Sequence, residues 1–338
     1  MATSQPQFQI PPSAQVLQMA FGHCIAACIY HVARLGVADL LRDGPITVAE
    51  LASATKTNED ALYRVLRALA SLGMFIEIES RTFALTPLAQ PLRSDAPDSV
   101  RAMLLFAGNS MHANTYAAMG YSLETGKRAF DHVYGKAPFE YLAEHPDEAK
   151  IFDEAMTSHS TPGIAAIIDA YDFDQFECIA DVGGGQGHML AAILRRYQRP
   201  RGVLFDLPYA IEHARNRGLL PANRATLVAG SFFEELPSGL DAIIMKHIIH
   251  DWADEETQKI LVNCRRALPE HGKLLIAEMI LPPMNEPGFA KLLDIEMLVI
   301  PGGRERTVEE YSAALGRAGF RLTRVVPTHS PVSVIEAA

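Results

Sequence analysis

A chain of 338 residues with 49% apolar and 21% charged residues fits a globular protein of two domains, or one large domain with an appendage. Its net charge of −10 argues against nucleic acid as the main partner, because neutralising phosphates takes a basic face. Cys24, Cys28, Cys178 and Cys264 follow neither a CxxC nor a disulfide-framework spacing, which fits a reducing cytoplasm.

The first residues, MATSQPQFQIPPS, carry neither the basic nor the apolar region of a secretory signal. From 13 to 41, apolar residues recur at helical spacing with little charge. This predicts a helix buried in its own core or against a second chain, with Cys24 and Cys28 as core thiols one turn apart. Its most apolar part, 19–30, is interrupted by His23 and is too short to span a bilayer, so no membrane is expected as a partner.

The next stretch, DGPITVAELASATKTNEDALYRVLRALASLGMF, predicts two capped helices. Thr47 with Glu50 forms a capping-box pattern. Asn58 caps a helix with Leu62, Val65, Leu66 and Leu69 on one face, and Gly73 stops it. MFIEIESRTFALTP then reads as a two-stranded wing. Helix-turn-helix plus wing raises the question of DNA binding. Over 46–95, however, six acidic residues stand against five basic ones, and the would-be recognition helix leads with Glu59 and Asp60. A structural or dimerisation role is the expectation. Residues 100–168 read as further helices, where Phe139, Tyr141, Phe152 and Met156 read on spacing as core packing.

After Tyr171 short apolar runs alternate with helical stretches. CIADVGGG, GVLFDLP, ATLVAGSFF, AIIMKHIIH and KLLIAEMIL are the runs, and RLTRVVP and VSVIEAA close the chain. This rhythm predicts an α/β domain with a mostly parallel, doubly wound sheet, whose ligands bind beyond the carboxyl ends of the strands. The first strand runs into DVGGGQG (181–187), where Gly183, Gly185 and Gly187 allow a tight turn and close approach of backbone to a ligand. The second ends in Asp206, 25 residues after Asp181, near the ~20-residue offset of ribose-binding acids. Together they point to an adenosine-containing ligand. The third strand is expected to end near Ser231 and Phe232, the fourth at His250 and Asp251, the fifth at Glu278.

Within MKHIIHDWADE (245–255), His247 and His250 are three apart, and a strand's period of two points them to different faces. That weighs against a metal site and leaves His247 as a bystander. Read alone, His250 is either a general base or a turn residue capping the next helix with Asp251. Glu278 alone could be an exposed strand terminus, and Glu305 a solvated charge between Arg304 and Arg306.

With these motifs, plus FDEAM, LLIAEMILP and PGGRERTVEEYSAALGRAGF, the chain resembles the S-adenosylmethionine-dependent small-molecule O-methyltransferases of the caffeic-acid O-methyltransferase type, over nearly its whole length. The resemblance implies a Rossmann-like class I methyltransferase domain at 169–338 with a mostly parallel seven-stranded sheet. It also implies a mainly helical winged-helix dimerisation domain at 1–100 and a helical linker at 101–168 that contributes to the acceptor pocket. S-adenosylmethionine is the implied cofactor, a phenolic or polyketide-like small molecule the acceptor, and a homodimer the assembly. Position by position, Asp181, Gly183, Gly185, Asp206, Leu207, Ser231, Phe232 and Lys246 would hold the cofactor. His250 would be the general base, with Glu278 and Glu305 flanking and orienting it. Phe152, Met156, Asp294 and Met297 would line the acceptor pocket.

One departure concerns the adenine. The family usually has Gly-Asp after the third strand, whereas here GSFF puts Ser231 in that place, which implies a weaker bond to the adenine amino group, with Glu234 nearby as another acceptor. The implied chemistry needs no metal: a neutral imidazole takes the phenolic proton as the methyl moves in line. Cofactor binding with other chemistry (a hydroxylase or pericyclase) and a winged-helix DNA-binding regulator are the rival readings.

Overall fold

The computed structural model describes residues 10–338, so the signal-peptide reading of residues 1–9 lies outside the described residues. Contacts divide the chain into two units, 1–113 with 147–158, and 114–146 with 159–338. The stretch 101–168 is thus shared between the units.

In the first unit, the segment expected as one buried helix forms three, Pro12–Ala20, Gly22–Arg34 and Val37–Leu40, with Gly36 in the left-handed region at φ 68°. Of the two burials expected, the first of these helices does not take the one in its own core. No residue of Pro12–Ala20 is buried, and Val16, Leu17, Met19 and Phe21 are between 59% and 77% exposed. The apolar run is also longer than 19–30: Pro12–Arg34 spans 23 residues at mean hydropathy 1.5, long and apolar enough by length and composition to cross a membrane. Beyond it, local chemistry sets the elements. The Thr47 hydroxyl accepts the Glu50 N–H, and the Glu50 carboxylate accepts the Thr47 N–H at 3.0 Å, opening helix Val48–Thr55. Asn58 accepts the Ala61 N–H at 2.9 Å and opens Glu59–Ser71, which buries Leu62, Leu66 and Leu69. The wing has three strands, because β1 (Ile46–Thr47) joins β2 (Phe75–Glu79) and β3 (Thr82–Leu85) in the order β1-β3-β2. At the front of the would-be recognition helix, Glu59 pairs with Arg81 of the wing at 2.9 Å, and that guanidinium lies 4.3 Å from the Tyr63 ring centre.

In the second unit a seven-stranded sheet runs in the order β6-β5-β4-β7-β8-β10-β9, comprising β4 (Cys178–Val182), β5 (Arg201–Asp206), β6 (Ala225–Ala229), β7 (Ala242–Lys246), β8 (Lys273–Met279), β9 (Leu322–Pro327) and β10 (Val332–Ala337). The strands from β6 to β8 are parallel, while β10 runs against both β8 and β9. Val182, Ile243, Met245, Ile276 and Ile335 fill one apolar layer and Ile179, Ile244, Leu275, Ala277 and Val334 another, as expected of strands covered on both faces. The chain winds outward both ways from β4, so the switch point lies between β4 and β7, where ligands bind in such sheets.

Candidate active site

The glycine turn after β4 closes as its composition requires. Gly183, Gly185 and Gly187 have φ of 72°, 56° and 82°, a region favouring glycine. A Cβ at Gly183 would meet Ile248 Cδ1 at 2.5 Å, and one at Gly184 would meet the Asp181 carboxylate at 2.5 Å. The turn therefore presents bare backbone at the head of helix His188–Arg196, a cradle suited to a polar ligand. Asp206 ends β5 beside it. One carboxylate oxygen accepts the Gly185 N–H at 2.7 Å, the other the Leu207 N–H at 2.6 Å, and burial raises its pKa. Each oxygen keeps a lone pair for a ribose hydroxyl. Phe232 reaches the same turn, its ring edge 3.7 Å from where a Gly183 Cβ would sit, and its ring stands 5.8 Å from that of Trp252. Ser231 accepts the Phe233 N–H at 3.2 Å. Glu234 is exposed and donates its own N–H to the Ser231 carbonyl.

Asp181 is buried, accepts the Leu190 N–H at 3.2 Å, and is pushed up by burial to about 7. Lys246, at the end of β7, is lowered by burial to about 8, with Asp181 and Glu278 opposing that shift. Its ammonium donates to Ser160 Oγ at 2.8 Å, a partner 86 residues away in sequence that no local motif announces. These residues together fit an adenosine cofactor with a charged tail.

β7 ends at Lys246, earlier than the sequence pattern suggests, and His250 sits on a short 3-10 turn, Ile249–Asp251. His247 causes the break. It adopts φ 54°, so the period-two rule no longer applies, and its ring lies 5.2 Å from the His250 ring. The two histidines are neighbours, which corrects the reading that sent them to different faces.

His250 Nδ1 is 2.6 Å from Glu305 Oε1, and Nε2 is 3.7 Å from Asp251 Oδ1. Burial alone would lower the imidazole pKa, but Asp251, Glu305 and Glu278 outweigh it and lift His250 to about 9. Asp251 is raised by burial to about 6, and burial also raises Glu305. Glu278 is not an exposed strand terminus and Glu305 is not a solvated charge, since both are fully buried. Their roles differ, however. Glu305 touches the ring, whereas Glu278 Oε1 accepts the main-chain N–H groups of Ile248, Ile249 and His250 at 3.0, 2.7 and 3.2 Å. Glu278 thus holds the turn that carries the imidazole.

The PGGRER segment completes the mount. The Arg304 N–H donates to the His250 carbonyl at 2.8 Å, and a Cβ at Gly303 would lie 1.9 Å from that oxygen. The buried Arg306 guanidinium donates to the carbonyls of Ile249 and Trp252 at 3.2 and 3.1 Å. Asp294, on helix Phe289–Val299, accepts the Glu305 N–H at 2.8 Å through Oδ1, which holds the main chain at Glu305. Met297 on the same helix is buried. Phe152 and Met156 belong to the first unit, on helix Pro146–Ala170. Both are half-buried, and the Phe152 ring stands 5.4 Å from that of Phe106. Asp251, Ser160 and Arg306 are the residues that sequence reasoning passed over. Only Asp251 carried a signal, as the neighbour of His250.

A glycine cradle, a strand-end carboxylate and a braced histidine at the switch point define a class I methyltransferase. A family model for the O-methyltransferase domain matches residues 116–321, and one for the O-methyltransferase dimerisation domain matches residues 17–95. Phenazine O-methyltransferase of Lysobacter antibioticus is 42% identical over 97% of this chain and 96% of its own. The crystal structure of CalO1, a methyltransferase of calicheamicin biosynthesis in its SAH-bound form, superposes with a TM-score of 0.86 at 35% identity, covering 98% of this chain and 99% of the other. The O-methyltransferase NcsB1 of neocarzinostatin biosynthesis, solved with S-adenosylmethionine and 2-hydroxy-5-methyl naphthoic acid, gives 0.79 at 31% identity, covering 93% and 95%. The chain belongs to the S-adenosylmethionine-dependent O-methyltransferase family and is an enzyme of that class.

Proposed function

We propose that this enzyme methylates a ring hydroxyl of a phenolic, phenazine-like or polyketide-like small molecule, with His250 as general base and without a metal. The observation that carries the proposal is the 2.6 Å contact of Glu305 with His250 Nδ1. With its proton on Nδ1 and donated to Glu305, the imidazole has its basic lone pair on Nε2. The bound cofactor supplies an electrophilic methyl group on a sulfonium. Asp206 and the glycine turn would hold its adenosine part, and the residues around His250 handle the proton. As the acceptor oxygen attacks, Nε2 takes the phenolic proton, and the carboxylates of Glu305 and Asp251 favour the imidazolium that results. A phenol titrates near ~10 and His250 at about 9, so the transfer is close to balanced once the imidazole is neutral. The acceptor class is supported by the phenazine and naphthoic acid named for the relatives.

Assembly as a homodimer through the first unit is supported by the match to a dimerisation domain and by the exposed Val16, Leu17, Met19 and Phe21 face, which a second copy would cover. The scattered cysteines, all unpaired, support a cytoplasmic setting. The test is mass spectrometry of hydroxyphenazines, hydroxynaphthoates and simple phenols incubated with cofactor in the presence of a chelator. Gain of one methyl on a ring hydroxyl supports the proposal. Turnover that the chelator abolishes overturns metal independence, and no methyl gain on any of these aromatic hydroxyls overturns the acceptor class.

A further inference from the structure

The Glu278 carboxylate is fully buried, yet it never reaches the imidazole. Its Oε1 binds three consecutive N–H groups of the turn 248–250, and its Oε2 accepts the Tyr311 hydroxyl. Tyr311, 1% exposed, stands on helix Val308–Arg317, which a Thr307–Glu310 capping box opens directly after the PGGRER segment. A buried carboxylate must have its lone pairs met, and it rotates to find donors when they are not. The Tyr311 hydroxyl is thus the donor that meets the second oxygen of Glu278, beside the three N–H groups on the first. Glu278 in turn decides where the His250 N–H sits, while Arg304 fixes the carbonyl of the same residue at 2.8 Å.

We infer that Tyr311 is a positioning residue for methyl transfer, acting through Glu278 on the turn that aims His250. The inference rests on His250 being the base. Removing only the hydroxyl leaves the ring in its buried apolar cluster and leaves Glu278 Oε2 without its donor. The turn then loses one anchor of its aim, and a small misplacement of a reacting group lowers rate more than binding.

The test compares Tyr311→Phe with Leu315→Ala, a truncation on the same buried helix face that touches neither Glu278 nor the turn's hydrogen bonds. Steady-state kinetics, cofactor calorimetry and thermal melting are read on each. Tyr311→Phe is expected to lower kcat on the order of tenfold while KM and cofactor Kd stay within about twofold. Leu315→Ala is expected to lower Tm and keep kcat. Wild-type kcat in Tyr311→Phe overturns the inference, and so does a parallel loss of kcat and Tm in both variants. His250→Ala, run alongside, separates the two ideas. If it retains turnover the base assignment itself fails, and if it is inactive the Tyr311 result stands on its own.

Discussion

Replacing Glu305 by Gln changes the imidazole's environment by one charge and almost no volume. The Glu305 carboxylate sits 2.6 Å from Nδ1, fully buried. A hydrogen bond between charged groups contributes about 1.5–3 kcal/mol. Gln keeps a neutral acceptor at about half that strength, so the transition state loses about 1 kcal/mol and the plateau kcat falls roughly fivefold. The pH dependence moves as well. Glu305 is one of three carboxylates that lift His250 to about 9, so the base is neutral, and active, only as pH rises through that value. Removing one lifting charge brings the midpoint of the kcat/KM profile down by about one pH unit, with Asp251 and Glu278 retaining the rest. A pH series of initial methylation rates from 6 to 10, on wild type and Glu305→Gln, measures both effects. A variant with the wild-type plateau and the wild-type midpoint would refute the reasoning, because neither its charge nor its hydrogen bond would then bear on the base.

Two further outcomes follow from the same geometry. Ser231→Asp keeps an acceptor for the Phe233 N–H and adds a charged oxygen at the position where the family resemblance puts the acceptor of the adenine amino group. Cofactor affinity by calorimetry should rise, by about fivefold if a charge-assisted bond gains about 1 kcal/mol over a neutral one; unchanged affinity would mean that Ser231 does not meet the adenine. Met19→Glu places a charge on the apolar face of helix Pro12–Ala20, where Met19 is 77% exposed. Sedimentation should show a shift from dimer to monomer, and an unaltered dimer would remove this face from the interface.

What the sequence shows and what it hides divides along physical lines. The caps at Thr47 and Asn58, the positive-φ glycines after β4 and the strand-end Asp206 depend on near neighbours, so they are legible from local residue types. The central runs of the sheet, such as β7 and β8, are legible because covered strands must be continuously apolar. The pairing of His247 with His250 was hidden, since a histidine at φ 54° gives no signature and voids the alternation rule. The division of labour between Glu278 and Glu305 was hidden for another reason. Both are acids near a histidine in the fold, but one bonds backbone and the other bonds ring, and only packed coordinates separate those. The bond from the Glu305 N–H to Asp294 was hidden in the same way, since it joins residues from two separate elements. Which of the two burials Pro12–Ala20 takes was not legible, because an apolar helix that packs on a second chain looks the same in sequence as one that packs in its own core; the structure leaves it outside its own core.

The central claim is that His250 removes the acceptor proton, and single-turnover methyl transfer by His250→Ala at saturating cofactor tests it most directly. The account predicts a fall of roughly 10²- to 10⁴-fold in the transfer rate, with cofactor Kd within about twofold of wild type. Transfer within a few-fold of the wild-type rate would contradict it.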